Sequence, residues 1–201
     1  MQENKLVAIL RGIQPEEADD HAAALCDAGF RYIEIPLNSP DWQQSIRQTV
    51  ERFGERAMIG AGTVLNVEQV DRLAEMGARL VVTPNTQPAV IRSAVRQGML
   101  VCAGCATATE AFNALDAGAH WLKIFPSSAF GPVYIRALKA VLPPAVPVLA
   151  VGGITPENLG DYLQAGCAGA GLGNDLYRPG QSAADTAARA RRFIAALEAA
   201  S

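Results

Sequence analysis

The helical segments of this chain end in glycines that recur at nearly regular intervals. The intervals are 25, 23, 21, 20 and 48 residues, counted between Gly29, Gly54, Gly77, Gly98, Gly118 and Gly166. Glycine is common just beyond a helix because it adopts the left-handed conformation without a steric cost. The last interval is about twice the others. Regular spacing of this size is typical of a repeated architecture.

Short apolar runs rich in valine and isoleucine alternate with the helical segments. There are eight of them: LVAIL, YIEIPL, AMIGAG, LVVTP, MLVCAG, WLKIFP, VPVLAVGG and GAGLG. Such runs are typical of parallel strands that are covered by helices. We therefore predict that residues 1–201 form a single domain, a compact TIM (β/α)8 barrel of the α/β class. The alternative, an open doubly wound sheet, needs a G-x-G-x-x-G turn after its first strand, and LRGIQPEEA lacks one.

Eight amphipathic segments are predicted to be helices. They are PEEADDHAAALCDAG, DWQQSIRQTVERFG, NVEQVDRLAEMG, QPAVIRSAVRQG, ATEAFNALDAG, PVYIRALKAVL, PENLGDYLQAG and AADTAARARRFIAALEAA. Residues that favour the first turn of a helix predict helix starts at Pro15, Ser39, Asn66 and Thr155.

Composition excludes several classes of partner. The chain has 17 basic and 20 acidic residues, a net charge of -3 and no basic run, so we expect no binding to nucleic acid or to a membrane surface. A small anionic substrate remains possible. No run reaches 18 apolar residues and MQENKLVAIL carries no secretory pattern, so we expect a soluble, cytoplasmic protein.

The four cysteines do not suggest a disulfide framework, and we expect them to be reduced. Cys102 and Cys105 form a C-x-x-C pair, which could be a redox motif. However, Cys102 lies inside an apolar run rather than at a helix N-terminus, which favours a packing role.

Polar and glycine residues follow or interrupt the apolar runs where chemistry gathers in a TIM barrel, at the C-terminal ends of the strands. These residues are Arg11, Glu34, Asn38, Thr63, Pro84, Cys105, Lys123, Gly152, Gly153 and the segment 171–174.

Lys123 interrupts the apolar run WLKIFP. If Leu122 and Ile124 face the helices, the alternation of strand side chains points Lys123 into the barrel. Burial disfavours an ammonium group, and a lysine whose pKa falls toward about 7 or 8 supplies the neutral amine that Schiff-base chemistry needs. The alternative is a structural lysine that pairs with a carboxylate or extends to the barrel rim.

Glu34 interrupts the apolar run YIEIPL in the same way, and its side chain points to the opposite face of the strand from Ile33 and Ile35. A carboxylate beside a buried amine is suited to general base catalysis. Its alternative role is that of a counter-ion to Lys123 or Arg11.

Three further features suggest substrate binding. Arg11 could clamp a carboxylate or phosphate, although a surface arginine is an equally simple interpretation. Thr63 could bind a substrate carboxylate or form part of a turn. Gly152, Gly153 and the GLGN segment at 171–174 could hold a phosphate through backbone N–H groups, or could serve packing.

We expect no metal site built on histidine, because the chain has only His21 and His120. The sequence does not exclude a magnesium ion bound by carboxylates.

Read together, these residues resemble the family of 2-keto-3-deoxy-6-phosphogluconate and -galactonate aldolases. The resemblance extends along essentially the whole chain, through AILRG, EIPLNSP, GAGTVL, VTPN, LKIFPSS, VGGITPENL and GAGLGNDLY. Members of this family are class I enzymes on a TIM barrel, need no metal or organic cofactor and are commonly trimers. The resemblance thus implies a homotrimer that acts on a phosphorylated keto acid.

The same resemblance implies roles for individual residues. Lys123 would be the Schiff-base lysine and Glu34 the acid/base carboxylate. Arg11 and Thr63 would hold the keto-acid end of the substrate, and Pro84 and Phe125 would line the pyruvyl pocket. The phosphate would be surrounded by Gly152, Gly153, Gly173 and Asn174.

Two departures from the gluconate branch bear on the substrate. Asn38 stands where that branch usually has arginine, and Val151 stands where it has threonine. Both positions would contact substrate, and both resemble the galactonate branch. We therefore expect 2-dehydro-3-deoxy-6-phosphogalactonate to be cleaved to pyruvate and D-glyceraldehyde 3-phosphate. The alternatives are the gluconate epimer, a phosphosugar isomerase or epimerase, and a non-catalytic phosphosugar-binding protein.

Overall fold

The computed structural model of the protein describes residues 5–200, so residues 1–4 and 201 of the predicted domain lie outside the described part. Within it, eight strands alternate with eight helices. Strands β1 to β8 span Lys5–Ile9, Tyr32–Pro36, Met58–Gly62, Leu80–Val82, Leu100–Cys105, Trp121–Ile124, Val148–Val151 and Gly169–Leu172. Helices α1 to α8 span Pro15–Asp27, Trp42–Phe53, Val67–Glu75, Pro88–Arg96, Ala108–Asp116, Ser127–Lys139, Leu159–Gln164 and Ala183–Ala199.

The strands form a closed parallel barrel in sequential order. The barrel closes where β1 pairs with β8, with Lys5 opposite Gly169 and Ala8 opposite Leu172. The TIM-barrel prediction is therefore confirmed, and the open doubly wound sheet is excluded.

Side-chain alternation divides the core into two apolar layers. One layer fills the barrel and includes Val7, Leu80, Trp121 and Leu149. The other lies between the sheet and the helices, and Leu122 and Ile124 belong to it. As predicted, the even positions of β6 face the helices, so the odd positions, including Lys123, face the barrel interior.

Most of the predicted helix ends have the expected left-handed glycine. The φ angle is positive at Gly29, Gly77, Gly98, Gly118 and Gly166. The prediction is wrong at Gly54, whose φ of -59° is right-handed. The chain continues there through another turn, in which the N–H groups of Arg56 and Ala57 both donate to the Phe53 carbonyl.

The predicted helix starts have mixed outcomes. Pro15 begins α1, and the Asn66 side chain caps α3 by accepting a hydrogen bond from the Gln69 N–H at 2.9 Å. Ser39 does not begin a helix: α2 starts at Trp42, and the buried Ser39 hydroxyl accepts from the Gly12 N–H at 2.9 Å, joining two loops at the top of the barrel. Thr155 begins a turn, and α7 starts only at Leu159.

Helix α6 begins earlier than its apolar pattern predicts, at Ser127, and has a break at Gly131 with a φ of 74°. The first turn is held to the barrel by Ser127. Its hydroxyl donates to the Ile124 carbonyl at 2.7 Å and accepts from the Val151 N–H at 3.1 Å. These contacts fix the C-terminal end of β6, just beyond Lys123, against β7.

All four cysteines are buried and have free thiols, in agreement with a packing role. Burial raises the pKa of Cys102 and of Cys105 to about 12, so neither is a reactive thiolate. Between residues 5 and 200, no helix has the length and apolar character needed to cross a membrane.

Candidate active site

A chamber of about 360 Å³ opens at the C-terminal ends of the strands. The structure brings eleven of the twelve predicted site residues to its wall: Arg11, Glu34, Thr63, Pro84, Lys123, Phe125, Val151, Gly152, Gly153, Gly173 and Asn174. Asn38 lies outside the wall. Residues that are up to 163 positions apart in sequence therefore meet in one cavity, because parallel strands end at the same rim.

Lys123 projects from β6 into the barrel and is only 7% exposed. Its Nζ lies 5.1 Å from the centroid of the Phe125 ring. Beneath it, apolar side chains from other strands, including Val7, Val82 and Leu149, close the barrel interior. Burial among these groups lowers the pKa of Lys123, and the nearby Glu34 carboxylate acts in the opposite direction. The amine is thus easier to deprotonate than that of an exposed lysine.

Glu34 projects into the same interior from β2 and is 2% exposed. Burial raises the pKa of its carboxyl group to about 7, although the positive charges of Lys123 and Arg11 and a backbone hydrogen bond from Gly62 lower it. Its Oε2 atom has no hydrogen-bond partner among the described residues. A carboxyl group of this kind can accept or release a proton near neutral pH.

Lys123 and Glu34 share the chamber without forming an ion pair. The ion pairs found among residues 5–200 within 4.0 Å all join an arginine to a carboxylate on the outside of the barrel. Burial shifts the pKa of each member of the pair toward its uncharged form. The Lys123 amine and the Glu34 carboxyl group therefore face the same space, where a small substrate can contact both.

The Arg11 guanidinium lies at one side of the chamber and is exposed to solvent. It donates to Asn38 Oδ1 at 2.6 Å and, at the limit of a hydrogen bond, to Thr63 Oγ1 at 3.5 Å. Thr63 has a φ of 57°, which is rare for a β-branched residue and costs about 1–3 kcal/mol. Asn38 thus orients Arg11, and the strained backbone of Thr63 puts its hydroxyl beside the guanidinium.

At the ends of β7 and β8, the chamber wall is formed by backbone. Gly152 and Gly153 have φ angles of 97° and 74°, which suit glycine. A Cβ at Gly153 would lie 2.7 Å from the Ser128 Cβ, so the two segments approach too closely for a side chain. After β8, the chain turns at Gly173, whose carbonyl accepts from the N–H groups of Leu176 and Tyr177 at 2.8 and 2.9 Å.

This side of the chamber is suited to an anion. Within the described chain, the N–H groups of Asn174 and Asp175 at the start of the turn donate to no other residue, so they are open to a ligand. The cationic side chains of the chamber wall, Arg11 and Lys123, come from other parts of it. A phosphate would therefore be held here by backbone groups.

Four residues of the chamber wall were not predicted: Ile9, Ile154, Asp175 and Tyr177. Ile9 could have been found, since it lies two residues before Arg11 on the inward face of β1. Tyr177 lies five residues beyond the end of β8, and no local pattern indicates that it folds back over the barrel.

A larger depression of about 540 Å³ lies at the opposite end of the barrel. The residues of 5–200 that form its wall include Lys5 and Lys139 and no aspartate or glutamate. No group of three or more histidine, cysteine, aspartate or glutamate side chains in the described residues could hold a metal ion. The chamber at the C-terminal rim is therefore the best candidate for chemistry.

The fold is a TIM barrel, and its C-terminal chamber contains a buried lysine and a buried carboxyl group. Residues 1–189 match the family model described as "Aldolase: KDPG and KHG aldolase". The chain belongs to this aldolase family, as its motifs indicated.

Individual relatives give a finer comparison. The chain is 65% identical over 191 residues to the 2-dehydro-3-deoxy-6-phosphogalactonate aldolase of Escherichia coli K12, covering 95% of this chain and 93% of that protein. It is 50% identical over 197 residues to a probable aldolase of the same name from Rhizobium meliloti, covering 98% and 93%. A solved structure described as "Native KDPGal structure" superposes with a TM-score of 0.98 at 62% identity, covering 100% and 97% of the two chains.

The buried pair leads to a prediction about Glu34. Its carboxyl group should titrate near pH 7, and Lys123→Met should raise that pKa further, because the substitution removes a nearby positive charge. NMR of protein labelled with 13C at the glutamate carboxyl carbons would measure both values, with Glu34→Gln to assign the signal. A Glu34 pKa near 4.5, or one that falls in the Lys123→Met variant, would contradict the account.

Proposed function

We propose that the protein is a class I aldolase that cleaves 2-dehydro-3-deoxy-6-phosphogalactonate to pyruvate and D-glyceraldehyde 3-phosphate. The observation that carries this proposal is the buried Lys123 amine, which shares an apolar chamber with Glu34. Two relatives that match nearly the whole chain bear the corresponding enzyme name, one of them as a probable enzyme. The reaction would belong to the breakdown of galactonate.

Lys123 would begin the reaction as a nucleophile. Its neutral amine attacks the C2 ketone, and loss of water gives a protonated imine. The imine accepts the electron pair that is released when the C3–C4 bond breaks. A lysine with a lowered pKa suits this step because more of it is unprotonated near neutral pH.

Glu34 would move the protons, directly or through water. In its carboxylate form it removes the proton from the C4 hydroxyl group, and D-glyceraldehyde 3-phosphate leaves. The enamine that remains is protonated at C3, and hydrolysis of the imine releases pyruvate. A carboxyl group with a pKa near 7 is suited to both the base and the acid role.

Two parts of the chamber wall would hold the two anionic ends of the substrate. Arg11 and Thr63 would bind the keto acid, with Asn38 orienting Arg11. Pro84 and Phe125 would line the pyruvyl pocket.

The phosphate would lie at the ends of β7 and β8, near the backbone of Gly152, Gly153, Gly173 and Asn174. This arrangement needs no metal or organic cofactor.

Val151 would contribute to the choice of substrate epimer. It lines the chamber and is 5% exposed. A Cβ added at Gly171 would lie only 2.8 Å from Val151 Cγ2, so the Val151 side chain packs closely against the backbone of Gly171. Its methyl groups therefore stay fixed against the chamber and offer no hydrogen bond to a substrate hydroxyl.

We also propose that residues 1–201 act as one domain and that the enzyme is a cytoplasmic homotrimer. The buried, unpaired cysteines suit a reducing compartment. Exposed apolar side chains such as Phe112 and Val133, which are 40% and 79% exposed, suit contacts between subunits.

Schiff-base chemistry can be tested by trapping. Borohydride added with pyruvate should reduce an imine on Lys123 and add one reduced pyruvyl group, detected by peptide mass spectrometry. Lys139→Arg, which alters a lysine at the far end of the barrel, is the control and should still be labelled. An unmodified Lys123 would favour an isomerase or epimerase, and an adduct that persists in Lys123→Arg would exclude the assignment.

Substrate choice can be tested with the two C4 epimers. We expect kcat/KM for the galactonate epimer to exceed that for the gluconate epimer by about tenfold or more, since one altered pocket contact typically discriminates by about 10–200-fold. Val151→Thr should move the ratio toward the gluconate epimer. Val148→Thr makes the same change on the helix-facing side of β7 and should leave the ratio unchanged. Activity confined to the gluconate epimer would overturn the substrate proposal.

The proposed assembly predicts a mass in solution of three 21.2 kDa chains. Analytical ultracentrifugation at several protein concentrations would measure it. A monomer at all concentrations would contradict the trimer and would leave Phe112 and Val133 exposed to water.

A further inference from the structure

The Glu34 carboxyl group occupies the space that a side chain at position 62 would need. A Cβ on Gly62 would lie 2.0 Å from Glu34 Oε2, 2.3 Å from its Cδ and 2.3 Å from its Oε1. These carboxyl atoms are its three nearest neighbours, and all are far inside van der Waals contact. The carboxyl group therefore lies flat against the bare Cα of Gly62.

The backbone of Gly62 gives no reason for a glycine. Its φ is not among the positive values found in this chain, and it continues strand β3, where it pairs with Pro36 and accepts a hydrogen bond from the Leu37 N–H at 2.9 Å. Gly60, two residues earlier, differs: its Cβ would lie 1.8 Å from the Leu80 carbonyl oxygen, so the approach of two strands requires it. At Gly62 the obstacle is a side chain.

We propose that Gly62 is a positioning residue for Glu34. It leaves room for the carboxyl group against β3. This inference rests on the proposed acid/base role of Glu34 and deepens it. The oxygen nearest to the added Cβ, Oε2, has no hydrogen-bond partner among the described residues, so no hydrogen bond fixes that atom in place.

The position matters because Lys123 lies on β6, across the barrel from β3. A carboxylate that is pushed off Gly62 moves toward the barrel axis, where the Lys123 amine and the substrate would be. An ion pair formed there would favour the ammonium form of Lys123, which is not a nucleophile. Gly62 thus keeps the carboxyl group and the amine separate until a substrate lies between them.

The test compares Gly62→Ala in two backgrounds. In the wild-type background, we expect kcat to fall by about 100-fold or more, as for loss of a general acid/base, and the pH dependence to resemble that of Glu34→Gln. In the Glu34→Asp background, the shorter side chain withdraws the carboxyl group. Gly62→Ala should then lower kcat by less than about threefold, a departure from additivity that reports direct contact.

Gly160→Ala is the matched control. Gly160 lies in α7, where the nearest atom to an added Cβ is Ala200 Cβ at 3.9 Å, so kcat and thermal stability should be unchanged or slightly improved. If Gly62→Ala folds only together with Glu34→Asp, the proposal is also supported. Misfolding in both backgrounds would overturn it, because the glycine would then be needed by the backbone.

The inference and the proposed function fail in different ways. If Glu34→Gln lowers kcat and Gly62→Ala leaves kcat and the pH profile unchanged, the role of Gly62 is refuted and that of Glu34 stands. If Glu34→Gln leaves kcat unchanged, both are refuted. If Gly62→Ala lowers kcat by the same factor in the wild-type and Glu34→Asp backgrounds, the positioning role is also refuted.

Discussion

Desolvation of a lysine and a glutamate inside one apolar barrel is the constraint on which the site depends. Water would hold Lys123 as an ammonium and Glu34 as a carboxylate. Inside the barrel, burial is the largest influence on both, and it shifts each pKa toward the uncharged form. The mutual attraction of the two groups opposes this shift without cancelling it. Glu34, whose pKa rises to about 7, can thereby exchange protons near neutral pH, and Lys123 becomes easier to deprotonate than an exposed lysine.

The barrel provides this environment through side-chain alternation and through glycine. Alternation points Lys123 and Glu34 inward while their neighbours fill the outer core. Glycines on adjacent strands then make room for the inward groups, as Gly62 does for Glu34 and Gly171 does for Val151. The rim is fixed separately, by contacts such as those of Ser127 with β6 and β7. The site thus rests on strands and short turns rather than on long loops.

The sequence predicted what depends on local pattern. Alternation within single strands placed Lys123 and Glu34 on the faces opposite to their apolar neighbours, and the eight apolar runs that alternate with helical segments were enough to predict eight units. Contacts between loops were not predictable: Ser39 resembles a helix cap, but its hydroxyl instead accepts the Gly12 N–H from another loop. The contact of Asn38 with Arg11 has the same origin, because it depends on how two loops meet and not on either loop alone.

The central claim is that the barrel lowers the pKa of Lys123, and a direct measurement of that pKa tests it best. The chain has only three lysines, so protein labelled with 13C at the lysine Cε atoms gives a simple NMR spectrum, and Lys123→Arg assigns the signal. Titration of the free enzyme should show a Lys123 pKa clearly below the ordinary value of about 10.5. A value at or above 10.5 would contradict the account.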